Sequence, residues 1–221
     1  MKNRVAIGLL LTFMSIHVAA QQAEPLSVAT ITLPRAAFRR EYRFALMAHG
    51  GTPPYKWKIT AGELPRNLDL SDDGVISGLA TQLGEFRFTV TVTDSSKPPQ
   101  SARQELTLRV VTPLSAEWVR YPVVNGQRVE GAIKVSNGTE LDFDLTEIVL
   151  AVNEIGRATA LGYQHFVLKK DTTDLEIPFG ENLPPGLYQV HVDVVAEVPE
   201  TNSIYRAHLT PPNPVRVEQG P

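Results

Sequence analysis

The chain has 221 residues, 43% of them hydrophobic and 20% charged, with no cysteine and a formal net charge of −3. That length holds one large domain or two small ones, and the composition suits a chain able to bury a core. No disulfide framework is available, and without a basic block nucleic acid and anionic membrane surfaces are poor partners.

Residues 1–20 read as a targeting segment. Lys2 and Arg4 precede the apolar run Val5 to Ile16, and Val18-Ala19-Ala20 supplies small residues before Gln21, the pattern of a secretory signal peptide cleaved after Ala20. The apolar run is short for a membrane span. With Lys2 and Arg4 removed, 19 basic residues face 24 acidic ones, a formal charge of −5. An exported chain without disulfides is held by packing alone, which points to bacterial export.

The 17 prolines and 15 glycines lie between alternating apolar runs, the spacing of many turns joining short strands. Ser27 to Leu33 reads as a first strand and Glu41 to Ala48 as a second, with Tyr42, Phe44 and Leu46 on one face. Gly50-Gly51-Thr52-Pro53-Pro54 is a rigid turn. Tyr55, Trp57 and Ile59 alternate with Lys56, Lys58 and Thr60, making Trp57 the largest anchor of a half-buried strand. Asp72-Asp73-Gly74 turns into Val75-Ile76, Phe86 to Val92 gives a long alternation, and Leu106 to Val110 closes the set. Seven short strands in about 85 residues fit an immunoglobulin-like sandwich.

Four motifs follow in order: Gly50-Gly51-x-Pro53-Pro54-Tyr55-x-Trp57, Leu64-Pro65-x-x-Leu68, Gly74-x-Ile76-Ser77-Gly78, and the Phe/Val/Thr strand ending at Asp94. In that order and spacing, residues 41–111 resemble the putative Ig family, the cadherin- and dystroglycan-like β-sandwiches common in bacterial surface proteins. The family usually has glycine where Asn67 stands, which asparagine can replace in the left-handed region. It usually has Thr-Pro where Leu79-Ala80 stands. The resemblance implies a β-sandwich and a calcium question, because cadherin relatives hold that ion at domain junctions. The candidates here are Asp72, Asp73 and Asp94, against six to eight oxygens needed, and the boundary Val111-Thr112-Pro113 has no acid. The competing reading has Asp94 cap its own turn.

A second set of strands follows Pro113. Trp118 to Val123, Tyr163 to Leu168, Leu175 to Ile177 and Tyr205 to Leu209 read as strands, Val129, Gly131, Ile133 and Val135 alternate, and Tyr188, Val190, Val192 and Val194 give the cleanest alternation. Asn137-Gly138 reads as a hairpin turn in preference to a glycosylation acceptor with Thr139. Leu141, Phe143 and Leu145 set one phase and Ile148, Leu150 and Val152 another, as a bulge would produce. Pro211-Pro212-Asn213-Pro214 marks the end of regular structure. The expectation is all-β: two tandem immunoglobulin-like β-sandwich domains, 26–112 and 114–217, after a cleaved signal peptide, 1–20.

The sequence carries no Gly-x-Ser-x-Gly elbow, His-Glu-x-x-His pair or phosphate loop. His49, His165, His191 and His208 remain after signal removal. His191 and Asp193 share a strand face, as do Glu140, Asp142 and Asp144, the latter spaced about 6.8 Å apart in a strand. That is near the separation of paired glycosidase carboxylates, yet both sets read as solvated faces. No catalytic, cofactor or metal residue is assigned. Trp118 and Tyr121 are placed at the boundary, where they could join the sandwiches or face a partner. The expected role is a secreted, periplasmic or cell-surface protein for non-catalytic binding, adhesion or scaffolding. An accessory subunit of an envelope assembly is the alternative, and a polysaccharide-active enzyme the remote one. Its partners would be protein or surface glycan, met at the loops 50–54, 71–74 and 95–100.

Overall fold

The computed structural model describes residues 24–219, and the expected signal segment 1–20 lies outside them. Among the described residues there are strands, turns and one 3₁₀ turn, Pro199–Thr201, and no α-helix. None is therefore long and apolar enough to cross a membrane. Two separate hydrophobic clusters organise the chain, one spanning Leu26 to Val110 and the other Leu114 to Val217.

The first nine strands are β1 (Ser27–Val28), β2 (Ala36–Ala37), β3 (Glu41–Ala45), β4 (Ala48–His49), β5 (Lys56–Gly62), β6 (Leu68–Leu70), β7 (Val75–Leu79), β8 (Gly84–Thr93) and β9 (Ser101–Val111). They form a four-stranded sheet in the order β2-β9-β8-β5, a three-stranded sheet β3-β7-β6 and a β1-β4 pair. Alternation decides the faces. Phe88, Val90 and Val92 of β8 and Leu106 and Leu108 of β9 are buried between the sheets, while Lys56, Lys58, Arg103 and Glu105 stand outside. Trp57 is 4% exposed, packed beneath the turn that holds Gly74. A Cβ on Gly74 would lie 2.6 Å from the indole Nε1, and its φ is +85°, so that turn requires glycine twice over. Asn67 adopts φ 65°, the left-handed conformation expected of it.

The expected first strand is much shorter than Ser27 to Leu33. Met47 accepts the N–H groups of both Ala29 and Thr30, and Thr30 Oγ1 accepts the Met47 N–H at 2.8 Å. The ladder ends there, and the chain bends to lay β2 parallel against β9.

The next eight strands are β10 (Leu114–Asn125), β11 (Arg128–Asn137), β12 (Phe143–Asn153), β13 (Ala158–Leu168), β14 (Leu175–Asn182), β15 (Gly186–Val198), β16 (Ser203–Leu209) and β17 (Val215–Val217). A β10-β11-β14 sheet packs on a β13-β12-β15-β16 sheet, with β17 added to β15. Three expectations fail here. Asn137-Gly138 is no hairpin, because β11 and β12 belong to different sheets. The buried Asn137 amide instead donates to the carbonyls of Leu141, Leu168 and Lys169 and accepts from Thr139 N–H and Oγ1, which also removes it from reach as a glycosylation acceptor. Nor does regular structure end at Pro214: Val215–Val217 pairs with Gly186–Tyr188, burying Val215 and Val217.

The third correction concerns β12. Its phase does not shift at Leu145. Phe143, Leu145, Glu147, Val149 and Ala151 all face the core, and a glutamate occupies the position where an apolar residue would have kept the alternation legible. The bulge lies on β13, where register slips between the Val149–Gly162 and Leu150–Ala160 pairs and leaves Leu161 as the extra residue.

Candidate binding end and the junction

All three loops expected to make contacts meet at one end of the first sandwich. The agent is Asp94, only 6% exposed. Its Oδ2 accepts the Thr52 N–H at 3.0 Å, while Oδ1 accepts Gln100 N–H and Ser96 Oγ–H, each at 2.7 Å, and Ser96 N–H at 3.3 Å. Ser95 ties the same loops again, donating its N–H to Thr52 and its hydroxyl to the Thr52 and Pro53 carbonyls. The third loop joins through Trp57 N–H, which donates to the Asp72 carbonyl. Burial alone would raise the Asp94 pKa; the bonds from Ser96, Gln100 and Thr52 outweigh it and hold the carboxyl below its ordinary value. The capping reading of Asp94 therefore describes the structure.

Between these loops lies an open groove of about 520 Å³ lined by Pro54, Lys56, Trp57, Lys58, Asp72, Thr93, Asp94 and Ser95. Trp57 forms its floor as a core anchor, and Asp72 and Asp73 are exposed. Among the described residues no three histidine, aspartate or glutamate side chains gather closely enough to hold a metal ion.

The other sequence candidates lie apart. Asp142 accepts Lys169 Nζ and Lys170 N–H, each at 2.9 Å, and these hold its carboxyl below its ordinary value. Asp144 lies 3.2 Å from His165 Nε2, and Glu140 turns to Arg35, so neither Asp142 nor Asp144 is partnered by a second carboxylate. His191 and Asp193 do share a face, and His208 joins them from β16, 2.8 Å from Asp193 and stacked on His191 at 5.8 Å. His49 sits 2.7 Å from Glu24 at the other sandwich.

Trp118 and Tyr121 do not join the sandwiches. Trp118 packs on Phe179 and on Tyr121 within the second one, with ring centroids 6.2 and 5.5 Å apart. The junction is made by arginines that the sequence did not single out. Arg35 donates to the Gly138 carbonyl at 2.9 Å, pairs with Asp171, and holds Glu140 through its side chain at 3.7 Å and its N–H at 3.4 Å. Arg40 donates to the Ile204 carbonyl at 3.0 Å and lies over the Tyr205 ring. Acids absent from the boundary sequence thus reach it through folding, already answered by arginine.

Glu147 was equally invisible. It is fully buried, neither carboxylate oxygen has a hydrogen-bond partner among the described residues, and burial pushes its pKa up to about 7. Gly162 opens the space beside it: a Cβ there would meet Phe179 at 3.0 Å and Glu147 Oε2 at 3.7 Å.

Residues 24–111 match the family Putative Ig domain. The match extends the motif-bearing stretch back through β1 and β2. No curated protein matches the chain. Among solved structures, the Down Syndrome Cell Adhesion Molecule's N-terminal eight Ig domains are 10% identical over 84% of this chain and 27% of that one, with a TM-score of 0.44. Drosophila N-cadherin EC1-4 is 14% identical over 88% of this chain and 50% of that one, TM-score 0.34. A Bacteroides fragilis protein described as a putative alpha-galactosidase is 20% identical over 39% of this chain and 17% of that one, TM-score 0.34. The chain spans half or less of each of these structures.

Proposed function

We propose that this is an exported, non-catalytic binding protein of the bacterial cell envelope, secreted or periplasmic. In this reading the Ig-like sandwich 26–112 recognises a protein or surface glycan through its loop end, and the sandwich 114–217 carries it. One observation carries the reading: the loops 50–54, 71–74 and 95–100 converge on one groove, the first and last tied by the Asp94 carboxylate and the middle one by the Trp57 N–H. Loops fixed before the partner arrives lose less entropy on binding.

A second reading, an accessory subunit of an envelope assembly, draws on the free edge of β13. Among the described residues that strand is paired only on its β12 side, and Tyr163 and Val167 on it are 65% and 54% exposed. An open edge is a template for a partner strand.

The two readings separate by photo-crosslinking in an exporting bacterial host, with the reactive residue at Ser95 or at Tyr163. Capture at Ser95 with a mature N-terminus at Gln21 is the expected result. Capture at Tyr163 alone replaces it with the accessory-subunit reading, and an unprocessed intracellular chain removes both.

A further inference from the structure

Folding gathers cations that the sequence scatters. On the outer face of the β2-β9-β8-β5 sheet the register sets Lys56, Thr93 and Ser101 in one row and Lys58, Thr91 and Arg103 in the next. Lys56, Lys58 and Arg103 are exposed, as is Lys97 in the adjoining loop. Among the described residues none of these four forms a salt bridge, whereas Arg87 and Arg109, further down the same face, share Glu85 at 2.8 and 3.0 Å. The two rows themselves hold no acid, and the acids lie at their margins: Asp94 is buried and fully bonded, Asp72 stands on the groove rim, Glu63 and Asp69 share a neighbouring groove with Lys58 and Arg66, and Glu105 lies one row beyond Arg103. A chain that is acidic overall therefore presents two adjacent rows with three cations and no acid beside its loop end.

We propose that this face binds an acidic polysaccharide, with Lys56, Lys58 and Arg103 meeting its carboxylates or sulfates. The inference rests on the binding role assigned to the loop end and names its ligand class. The face itself selects among polyanions. Lys58 and Arg103 are two strands apart, about 10 Å, across the buried Thr91, and the next row sets the hydroxyls of Thr93 and Ser101, 3.0 Å apart, beside Lys56. Cations alternating with hydroxyls match a polymer whose charges alternate with sugar hydroxyls. Single-stranded nucleic acid calls for exposed aromatic platforms, and the tryptophan of this region is buried. A protein partner calls for an apolar or aromatic anchor at the centre of the contact, and the rows hold none.

The test measures binding of the full exported chain to polygalacturonate, to uncharged dextran and to a single-stranded oligonucleotide across a salt series. The expected result is binding to polygalacturonate that weakens with salt and no binding to dextran. K56E/K58E/R103E should lose at least roughly tenfold in affinity, and K56Q/K58Q/R103Q should fall between, with circular dichroism unchanged. R157E/K170E/R216E reverses as many exposed charges on the second sandwich and should bind as the parent does. No binding to polygalacturonate, an equal loss in both charge-reversed variants, or tighter binding to the oligonucleotide overturns the proposal. Capture at Ser95 without polygalacturonate binding would leave the loop-end reading standing and remove the glycan.

Discussion

Among the described residues each sandwich buries one acid, and the two are opposites. Asp94 sits under the loops with four donors on its two oxygens, so its charged form is the bonded one and its pKa is held down. Glu147 sits in the second core with no donor at all, and burial pushes its pKa up to about 7. Burial acts on both in the same direction. Hydrogen bonding decides the outcome, because a carboxylate taken from water needs the bonds that water gave it. The first acid spends its charge on fixing a site; the second weakens the strand that carries it.

The largest effect should come from removing the satisfied acid. Asp94→Ala leaves three backbone N–H groups without an acceptor, the Ser96 hydroxyl keeping the Pro98 carbonyl, and a melting temperature lower by roughly 10 °C is expected. Hydrogen exchange should show the loops 50–54 and 95–100 losing protection together. The reverse sign is expected at the other site. Glu147→Met replaces an unbonded carboxyl by an apolar side chain of similar length, and calorimetry should show a gain of about 1–3 kcal/mol. At the junction, Arg35→Ala removes partly exposed ion pairs with Glu140 and Asp171, worth about 1 kcal/mol. Its clearer readout is looser packing of the two sandwiches in small-angle scattering. Smallest of all is calcium, for which a melt with the ion and then with excess chelator should show no shift. Asp94 already faces N–H and O–H groups, and a cation cannot share those contacts.

The same contrast explains what the sequence made readable. Alternation placed Trp57, Phe88, Val90, Val92 and Val129 to Val135 on buried faces, as the fold has them. It failed at β12 because Glu147 occupies a core position that only packing can identify. It failed at Asn137-Gly138 because a hairpin dipeptide also serves to cap a crossover between sheets. Ser27 to Leu33 lost most of its strand to the Thr30 side chain, which closes the ladder early. Of the binding end, the loops and Asp94 could be read locally. The cations Lys56, Lys58 and Arg103 could not, because strand register brings them together across residues far apart in sequence. Arg35 reaches Asp171 across 136 positions, beyond any local pattern.

The opposition between the two acids is tested most directly by urea unfolding at pH 5 and pH 8, read through one tryptophan at a time. The chain has two, Trp57 in the first core and Trp118 against the second, so W118F reports the first sandwich and W57F the second. An unfolded glutamate releases its proton near pH 4.3, whereas Glu147 holds its own to about pH 7. The folded second sandwich therefore binds the extra proton between those values, and its stability falls as pH rises through them. Asp94 works the other way: its contribution is complete above the unfolded aspartate value near pH 3.9 and is lost only as pH falls through its lower folded value. The account predicts a Trp118 transition weaker at pH 8 than at pH 5 by about 2 kcal/mol. Glu147→Met should abolish that difference, and the Trp57 transition should show no such loss. A Trp118 transition equally stable at both pH values, or a pH dependence that survives Glu147→Met, would contradict it.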